Sequence, residues 1–310
     1  MIDKYGRKIT YLRISVTDRC NFDCFYCIGE NRSFIDEENL MKLNEIEILA
    51  EVFKKIGIKK VRITGGEPLC REDIVDIVRL FAKEFSVAMT TNGSLLSKFA
   101  KDLKRAGLSS VNVSLNSLKP ETFFKITRGD LRRTLDGIEE ALKVGISLKL
   151  NTVVCEHNFE ELDELVRFAE KLKVPIRFIE LMPIGRKVET RYFERQILQK
   201  LAEFDLKFVD IKLGEGPARY FATKDGNYVG VISALSKSFC ESCNKIRVSC
   251  DGKMYPCLGS TLFVDLLKPL RSGATFDDLQ KIVLEAVDLK PSSHTMTSKP
   301  VGNKMNQLGG

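Results

Sequence analysis

The sequence has few histidines, no long apolar run and no long tract of like charges. Only two of its 310 residues are His, which argues against a mechanism built on histidine acid–base catalysis. No apolar stretch approaches the length of a membrane span. Residues 1–8 are polar and lack the apolar segment of a secretory signal. We therefore expect a soluble, cytoplasmic protein with no membrane partner.

The basic residues are scattered rather than clustered. The formal net charge is +7, yet no five or six like charges follow one another. This argues against a nucleic-acid partner and leaves a polyphosphate ligand open. The phosphate-binding sequence G-x-x-x-x-G-K-[ST] is absent as well. Any phosphate groups would then be bound by basic side chains from separate parts of the chain.

Nine cysteines are present, and three of them stand close together in the sequence. An odd number inside a cell indicates metal binding or catalysis rather than disulfides. Cys20, Cys24 and Cys27 have the spacing C-x3-C-x2-C, and thiolates suit iron–sulfur clusters and zinc. Three thiolates would leave one iron of a four-iron cluster open for chemistry. The alternatives are a structural zinc site, whose usual paired C-x2-C spacing does not match, and buried unpaired thiols.

A second cysteine set lies near the end of the chain. It has the spacing C-x2-C-x13-C and consists of Cys240, Cys243 and Cys257. A predicted hairpin between the pair and the single thiol would bring the three together, again with one iron open. A zinc ribbon with Cys250 as fourth ligand is the alternative. Cys70 and Cys155 have no partner motif and are predicted to be packing thiols.

The first part of the chain alternates strand-like and helix-like segments. Such alternation predicts a parallel sheet with right-handed crossovers. We predict an α/β fold, an incomplete (β/α)6 TIM-like barrel, because an eight-stranded barrel needs more chain. The strands are predicted at residues 11–16, 60–64, 86–91, 110–115, 147–154 and 175–182. The helices between them are predicted at residues 44–56, 71–85, 97–106, 132–144 and 158–172.

The alternation stops after Met182. One further helix is predicted at residues 194–204, followed by short strands with turn residues at 218–222, 228–233, 245–249 and 253–255. This pattern predicts a small β-rich region that covers the open side of the barrel. We place a partial barrel at residues 1–216 and a C-terminal region at residues 217–310.

Polar residues recur where the predicted strands end, which is where βα barrels carry their working residues. The second strand leads into Gly65-Gly66-Glu67-Pro68, and paired glycines allow close approach of backbone to a ligand. Basic residues stand within the strands themselves. If they converge, they form a cationic pocket suited to a triphosphate. These residues are Arg13, Lys60, Arg62, Lys149 and Arg177.

The two cysteine sets, the GGEP segment and the Gly-Gly end together resemble the MoaA family, the GTP 3',8-cyclases of the radical SAM superfamily. The resemblance spans nearly the whole chain. It implies two [4Fe–4S] clusters, S-adenosylmethionine, GTP as substrate, a cellular electron donor and a homodimer. It also implies that a 5'-deoxyadenosyl radical removes the 3' hydrogen of GTP, in the first step of molybdenum cofactor biosynthesis.

The resemblance further implies roles for single residues. The metal ligands are the two cysteine triplets, and Arg13, Gly309 and Gly310 are needed for catalysis. The contacts to S-adenosylmethionine come from Tyr26, Gly66, Glu67, Ser114 and Met182. The substrate contacts come from Arg13, Lys60, Arg62, Thr90, Lys149, Arg177, Lys245, Ile246 and Arg247.

Two positions depart from the family pattern. Lys245 stands where many relatives have Arg, so the charge remains but the bidentate fork is lost. Cys250 stands where a small residue other than Cys is usual. Two other functions stay open on the sequence alone. One is a radical SAM enzyme that modifies a peptide and carries an auxiliary cluster, and the other is a zinc-binding module for nucleic acid.

Overall fold

Six parallel strands in chain order form the centre of the protein. The computed structural model describes residues 1–27, 34–184, 189–294, 296 and 305–308. The strands are β1 Tyr11–Ser15, β2 Lys60–Thr64, β3 Ser86–Thr91, β4 Ser110–Ser114, β5 Ser147–Val154 and β6 Ile176–Glu180. The helices between them are α1 Leu43–Lys55, α2 Ile74–Ala82, α3 Leu96–Arg105, α4 Pro120–Thr127, α5 Leu131–Lys143 and α6 Leu162–Leu172.

The rest of the described chain adds short strands and helices. The strands are β7 Lys207–Val209, β8 Arg219–Ala222, β9 Tyr228–Ile232, β10 Lys245–Val248, β11 Lys253–Tyr255 and β12 Val264–Asp265. The helices are α7 Glu194–Lys200, α8 Leu267–Arg271, α9 Phe276–Asp288 and α10 Met305–Leu308. No helix in the described ranges is both long and apolar enough to cross a membrane.

All twelve described strands belong to one sheet. Its order is β12-β11-β10-β1-β2-β3-β4-β5-β6-β9-β8-β7. β10 runs parallel to β1, and β9 runs parallel to β6. The α/β fold with a parallel-rich sheet is confirmed. The C-terminal strands extend the sheet at both edges of the parallel core, with β10 beside β1 and β9 beside β6. The domain boundary after residue 216 stays a prediction.

Apolar alternation explains why these strands form and how they are oriented. Leu12 and Ile14 of β1 are fully buried in the core, so Tyr11, Arg13 and Ser15 point to the opposite face. The helices cover the core face. Several of them end at a glycine with positive φ, as predicted. Gly107 is one, with φ 102°, and its missing Cβ leaves room for Ala82 of α2.

Several elements escaped the sequence prediction. β7 and β12 have only three and two residues, too few for a periodic signal. The predicted helix at 194–204 is split into α7 and a short 3-10 turn, Ala202–Phe204. For α9 a usable signal exists, because Thr275 and Asp278 form a reciprocal capping box at its start.

Candidate active site

The loop after β1 carries the first cysteine set into a cavity. We call it the cysteine cavity, and its lining includes Cys20, Cys24, Cys27, Tyr26, Gly66, Glu67, Ser114 and Met182. Burial, together with the charge of Cys20, raises the pKa of the Cys27 thiol to about 12. Burial is likewise the largest cause of the raised pKa values of Cys20 and Cys24. The three thiols are therefore close enough to affect one another, and metal binding would have to displace their protons.

The paired glycines after β2 allow two backbone loops to approach each other closely. A Cβ at Gly66 would lie 2.2 Å from the carbonyl oxygen of Arg19, and one at Gly65 would lie 2.5 Å from that of Thr17. The Gly66 N–H donates to the Thr17 carbonyl at 2.7 Å. The missing side chains thus let two backbone loops pack together. The direct consequence is a fixed position for the loop that leads into Cys20, although Gly66 also lines the cavity.

Glu67 joins two strand ends beneath the cavity. Its carboxylate accepts hydrogen bonds from the Thr91 hydroxyl at 2.7 Å, from Asn92 N–H at 2.7 Å and from Leu69 N–H at 3.1 Å. Burial raises its pKa to about 7, against the opposing effect of these hydrogen bonds. The side chain is 1% exposed, so much of its hydrogen-bonding capacity is already used by the protein.

The remaining predicted cofactor contacts also face this cavity. The Tyr26 hydroxyl accepts a hydrogen bond from the Asn116 amide at 2.9 Å, which fixes the ring beside the thiols. Ser114 ends β4 and Met182 follows β6, so both stand at the carboxyl end of the sheet. The structure thus brings together the five residues predicted to contact S-adenosylmethionine.

A second cavity lies next to the first and is strongly cationic. We call it the cationic cavity. Its described lining contains seven basic side chains and one carboxylate, that of Glu215. The basic residues are Arg13, Lys60, Arg62, Lys149, Arg177, Lys245 and Arg247. Every substrate contact predicted from the sequence lines this cavity except Ile246, whose side chain is fully buried in the core. Strand alternation explains the exception, because Ile246 points away from its neighbours.

Strand register explains how the basic residues meet. Arg13 of β1 is the partner of Arg247 on one side and of Arg62 on the other. Like charges opposite each other destabilise a sheet unless something compensates them. The Arg62 Nε donates to the Tyr11 hydroxyl at 2.5 Å, and this hydrogen bond compensates only part of the repulsion. The row of Arg247, Arg13 and Arg62 therefore favours an anionic ligand.

The electrostatics of the cavity show the same conflict. Burial, followed by the charge of Arg247, lowers the pKa of Arg13. Burial and the charge of Arg177 lower the pKa of Lys149 to about 8. Arg177 donates through Nε to the Asn151 amide oxygen at 2.9 Å, while its buried Nη2 has no hydrogen-bond partner among the described residues. An anion in the cavity would relieve both the charge repulsion and this missing hydrogen bond.

The two cavities share part of their walls. Residues from β3, from β5, from β6 and the segment after it, and one from α10 line both. They are Thr90, Asn151, Ile179, Met182 and Met305. A ligand held over the three thiols would therefore be a direct neighbour of an anion held by the basic row.

The second cysteine set adjoins the cationic cavity. Cys240, Cys243 and Cys257 are half-buried and carry no disulfide. Burial alone would raise the pKa of Cys243, but the charges of Lys290 and Lys245 bring it below its usual value. Cys243 and Cys257 both act to raise the pKa of the Arg247 guanidinium, and Cys243 acts to raise the pKa of Cys257. The two thiols therefore lie near each other and near Arg247.

Each cysteine set fits a cubane cluster in its donor chemistry. Among the described residues no three Cys, His, Asp or Glu side chains converge as a single metal ion would require. A cubane differs from a single ion, because each thiolate binds a separate iron. Cys250 stands apart from the second set. It is fully buried, and Asp18, Asp251 and Ser15 are the neighbours that affect its pKa, which burial raises to about 12.

The last described residues enter the same region. The Arg247 Nη1 donates to the Leu308 carbonyl at 3.3 Å, and the Asn306 amide donates to the Asp18 carbonyl at 3.1 Å. Met305 lines both cavities. The predicted catalytic residues Gly309 and Gly310 lie outside the described residues.

Sequence reasoning missed a few residues of this site. Tyr11 lines the cationic cavity and receives the Arg62 hydrogen bond; its place two residues before Arg13 was the available signal. Met305 had no signal, because nothing local shows where a terminal helix packs. Asn151 was expected to face inward with Lys149, and both line the cavity.

Two family models match consecutive parts of the chain. Residues 14–169 match the Radical SAM superfamily, and residues 174–296 match Molybdenum Cofactor Synthesis C. The GTP 3',8-cyclase of Rhizobium leguminosarum bv. trifolii (strain WSM2304) is 41% identical, over 100% of this chain and 94% of that protein. The GTP 3',8-cyclase of Rhizobium meliloti (strain 1021) is 41% identical, over 95% of this chain and 88% of that protein.

Two solved structures share the fold. SuiB of Streptococcus suis has a TM-score of 0.64 at 18% identity, covering 96% of this chain and 70% of SuiB. The protein anSMEcpe with bound AdoMet has a TM-score of 0.63 at 17% identity, covering 93% of this chain and 82% of that one.

Proposed function

The chain belongs to the GTP 3',8-cyclase family of the radical SAM superfamily, and from this membership we propose the reaction that it catalyses. The reaction converts GTP into (8S)-3',8-cyclo-7,8-dihydroguanosine 5'-triphosphate, the first step of molybdenum cofactor biosynthesis. The enzyme is a lyase. It uses S-adenosylmethionine and iron–sulfur clusters.

The observation that carries this proposal is the shared wall of the two cavities. The cysteine cavity offers three thiols for a cluster, and the cationic cavity offers seven positive charges for a triphosphate. Thr90 and Asn151 lie between them. When bound in the first cavity, the cluster and S-adenosylmethionine supply the one-electron chemistry that removes the ribose 3' hydrogen. Adjacent binding shortens the distance this chemistry must cover.

The cysteine cavity holds the cofactor. Cys20, Cys24 and Cys27 would hold the first cluster, which would bind S-adenosylmethionine in the same cavity. The cofactor is then positioned by Tyr26, Gly66, Glu67, Ser114 and Met182, which line this cavity.

The cationic cavity holds the substrate. Arg13, Arg62 and Arg247 form a row whose repulsion an anion relieves. Arg177 offers its buried Nη2 in the same cavity. Lys60, Thr90, Lys149 and Lys245 complete the substrate contacts. Lys245 supplies charge but no fork, so it acts as a point charge on phosphate or base.

Cys240, Cys243 and Cys257 bind a second cluster, beside which the guanine lies. The carbonyl of Leu308 accepts a hydrogen bond from Arg247, a residue of the cationic cavity. Gly309 and Gly310, which follow Leu308 in the sequence, contribute to catalysis together with Arg13.

The protein works in the cytoplasm, receives electrons from a cellular donor and forms a homodimer. Residues 1–216 carry the first cluster, and residues 217–310 carry the second. A peptide substrate is less well supported, because the described lining of the cavity next to the cofactor has seven basic side chains and one carboxylate.

An anaerobic assay tests this function. Protein reconstituted with iron and sulfide is mixed with S-adenosylmethionine and a reductant, with GTP, with ATP or with neither. We expect 5'-deoxyadenosine to form faster with GTP, together with a cyclised nucleotide seen by mass spectrometry. Equal rates in the three mixtures would refute the proposal. Zinc in place of iron in protein purified without oxygen would also refute it.

A further inference from the structure

Lys290 is a buried lysine beside the second cysteine set. It follows α9 by two residues and is 2% exposed. Its ammonium donates to the carbonyl oxygen of Lys245 at 2.8 Å and to that of Pro256 at 2.7 Å. A lysine is rarely buried to this extent unless its charge is compensated.

The two carbonyls belong to the two arms that carry the cysteines. Lys245 follows Cys243 by two residues, and Pro256 directly precedes Cys257. A single ammonium thus links the arm of the pair to the arm of the single thiol. The third N–H of the ammonium remains, and the charge of Lys290 acts to lower the pKa of the Cys243 thiol against the effect of burial.

Hydrogen bonds to carbonyls satisfy the N–H groups but do not neutralise the charge. Among the described residues no carboxylate forms an ion pair with Lys290. The compensating negative charge must come from another group. Three thiolates around a cubane cluster would supply it, because such a cluster carries a net negative charge with its ligands.

The neighbouring residues are anchored in the same way. The Arg7 Nη1 donates to the Cys240 carbonyl at 2.9 Å, while its Nη2 donates to the Pro291 carbonyl at 2.7 Å. Arg7 is itself paired with Asp3 at 2.6 Å. The charge of Arg7 is therefore compensated within the protein, whereas that of Lys290 faces the cysteines.

We propose that Lys290 is a positioning residue of the second cluster: its ammonium joins the two cysteine arms and supplies the positive charge that raises the cluster's reduction potential. This inference rests on the proposed function, because it requires a second cluster. It adds a charged residue, Lys290, to the thiolate ligands that the proposed function assigns to this cluster. Net charge and hydrogen bonds to sulfur are established determinants of cluster potential.

Three substitutions separate charge from packing. Lys290→Met removes both the charge and the hydrogen bonds, Lys290→Gln keeps two N–H donors without the charge, and Lys290→Arg keeps the charge. Lys281→Met is the matched control, since Lys281 is exposed on α9. Each is made in the full chain and again with Cys24→Ala, which leaves the second cluster as the main source of signal.

The measurements are iron and sulfide content and an anaerobic redox titration followed by electron paramagnetic resonance. We expect the Gln and Met variants to shift the midpoint potential of the second cluster to more negative values. The Arg variant and the control should stay near the unchanged chain. If the Met variant fails to fold, the Gln variant decides.

Neither measurement needs GTP. A failure of the inference about Lys290 can therefore be distinguished from a failure of the proposed function. A Gln variant with full cluster content and an unshifted potential overturns the inference about Lys290 alone. An unchanged chain that binds only about four irons, as for one cubane, overturns the proposed function together with this inference.

Discussion

Arg13 of β1 and Arg247 of β10 are register partners in neighbouring parallel strands, although they lie far apart in the chain. Arg62 of β2 continues the row on the other side of Arg13. Side chains opposite each other in a sheet are close, so three guanidinium groups in a row repel one another. This repulsion lowers the stability of the ligand-free protein, and a bound polyanion would offset the loss.

Replacing Arg13 by Met tests this conflict between stability and binding. We expect GTP affinity to fall by about 10- to 100-fold, because one charge-assisted hydrogen bond is lost. The ligand-free protein should be at least as stable as before, because a buried like charge is removed. Calorimetric titration and thermal unfolding measure the two effects.

Arg79→Met is the control for this prediction. Arg79 is exposed on α2 and pairs with Asp76 on the same helix, so its loss should change neither quantity appreciably. A drop in the stability of the ligand-free Arg13 variant, with unchanged GTP affinity, would show that the row has a structural rather than a binding role.

The pH dependence of anion binding should follow Lys149. Burial and the charge of Arg177 lower its pKa to about 8, so it loses its proton as the pH rises through that value. We expect GTP to bind more weakly at about pH 9 than at about pH 7. Lys149→Met should weaken binding at pH 7 and flatten the profile. Titration calorimetry in buffers of matched ionic strength gives both curves, and a steep profile in the variant would assign the effect to another group.

The same shift predicts the stability of the ligand-free protein. The folded-state pKa of Lys149 is below its ordinary value of 10.5, so the unfolded chain binds more protons between about pH 8 and pH 10.5. Stability therefore gains a contribution as the pH rises through this window. The contribution of Lys149 is the difference between the unchanged chain and Lys149→Met, measured by urea unfolding at several pH values.

Gly66→Ala tests the packing of the loop that carries the first cysteine set. The added Cβ would meet the carbonyl oxygens of Arg19 and Asp18 at 2.2 and 2.7 Å, and neither backbone can move without moving Cys20. We expect a loss of stability of about 1–3 kcal/mol and reduced iron content. Gly226→Ala is the comparison, because its Cβ would meet nothing within 4 Å and only its positive φ is strained. Equal iron loss in both variants would refute the explanation.

Cys250 and Cys257 should behave differently on substitution. Cys250 is fully buried among core residues near Ser15, so Cys250→Ala should cost about 1 kcal/mol and leave the iron content unchanged. Cys257→Ala should remove about four irons, the content of one cubane. Iron and sulfide analysis after anaerobic reconstitution distinguishes them. Loss of metal in the Cys250 variant would restore the four-cysteine ribbon as the better interpretation.

Local patterns were sufficient for the parallel core. β2, β3 and β5 have the bounds that their β-branched runs predicted, because the apolar residues of these runs are buried. The alternation of Tyr11, Leu12 and Arg13 also indicated which side chains share the cavity face. These are properties of neighbouring residues, which a sequence displays directly.

Non-local relationships were not predictable in this way. No local signal shows that β10 pairs with β1 and β9 with β6, because strand pairing depends on residues far apart in the chain. The sequence indicated that Gly66 faces a ligand, but its close contact with the backbone of Arg19, far away in the chain, was not predictable. Lys290 at the end of a helix reads as an exposed cation, and only its two carbonyl partners show that it is buried.

The position of β9 and β10 at the two edges of the parallel core has a consequence for biosynthesis. As the chain leaves the ribosome, β1 and β6 present unpaired edges that can join other chains. Both edges are closed only after the chain has been made through Val248. The N-terminal part should therefore depend on chaperones during synthesis, and a fragment ending at residue 216 should aggregate rather than fold.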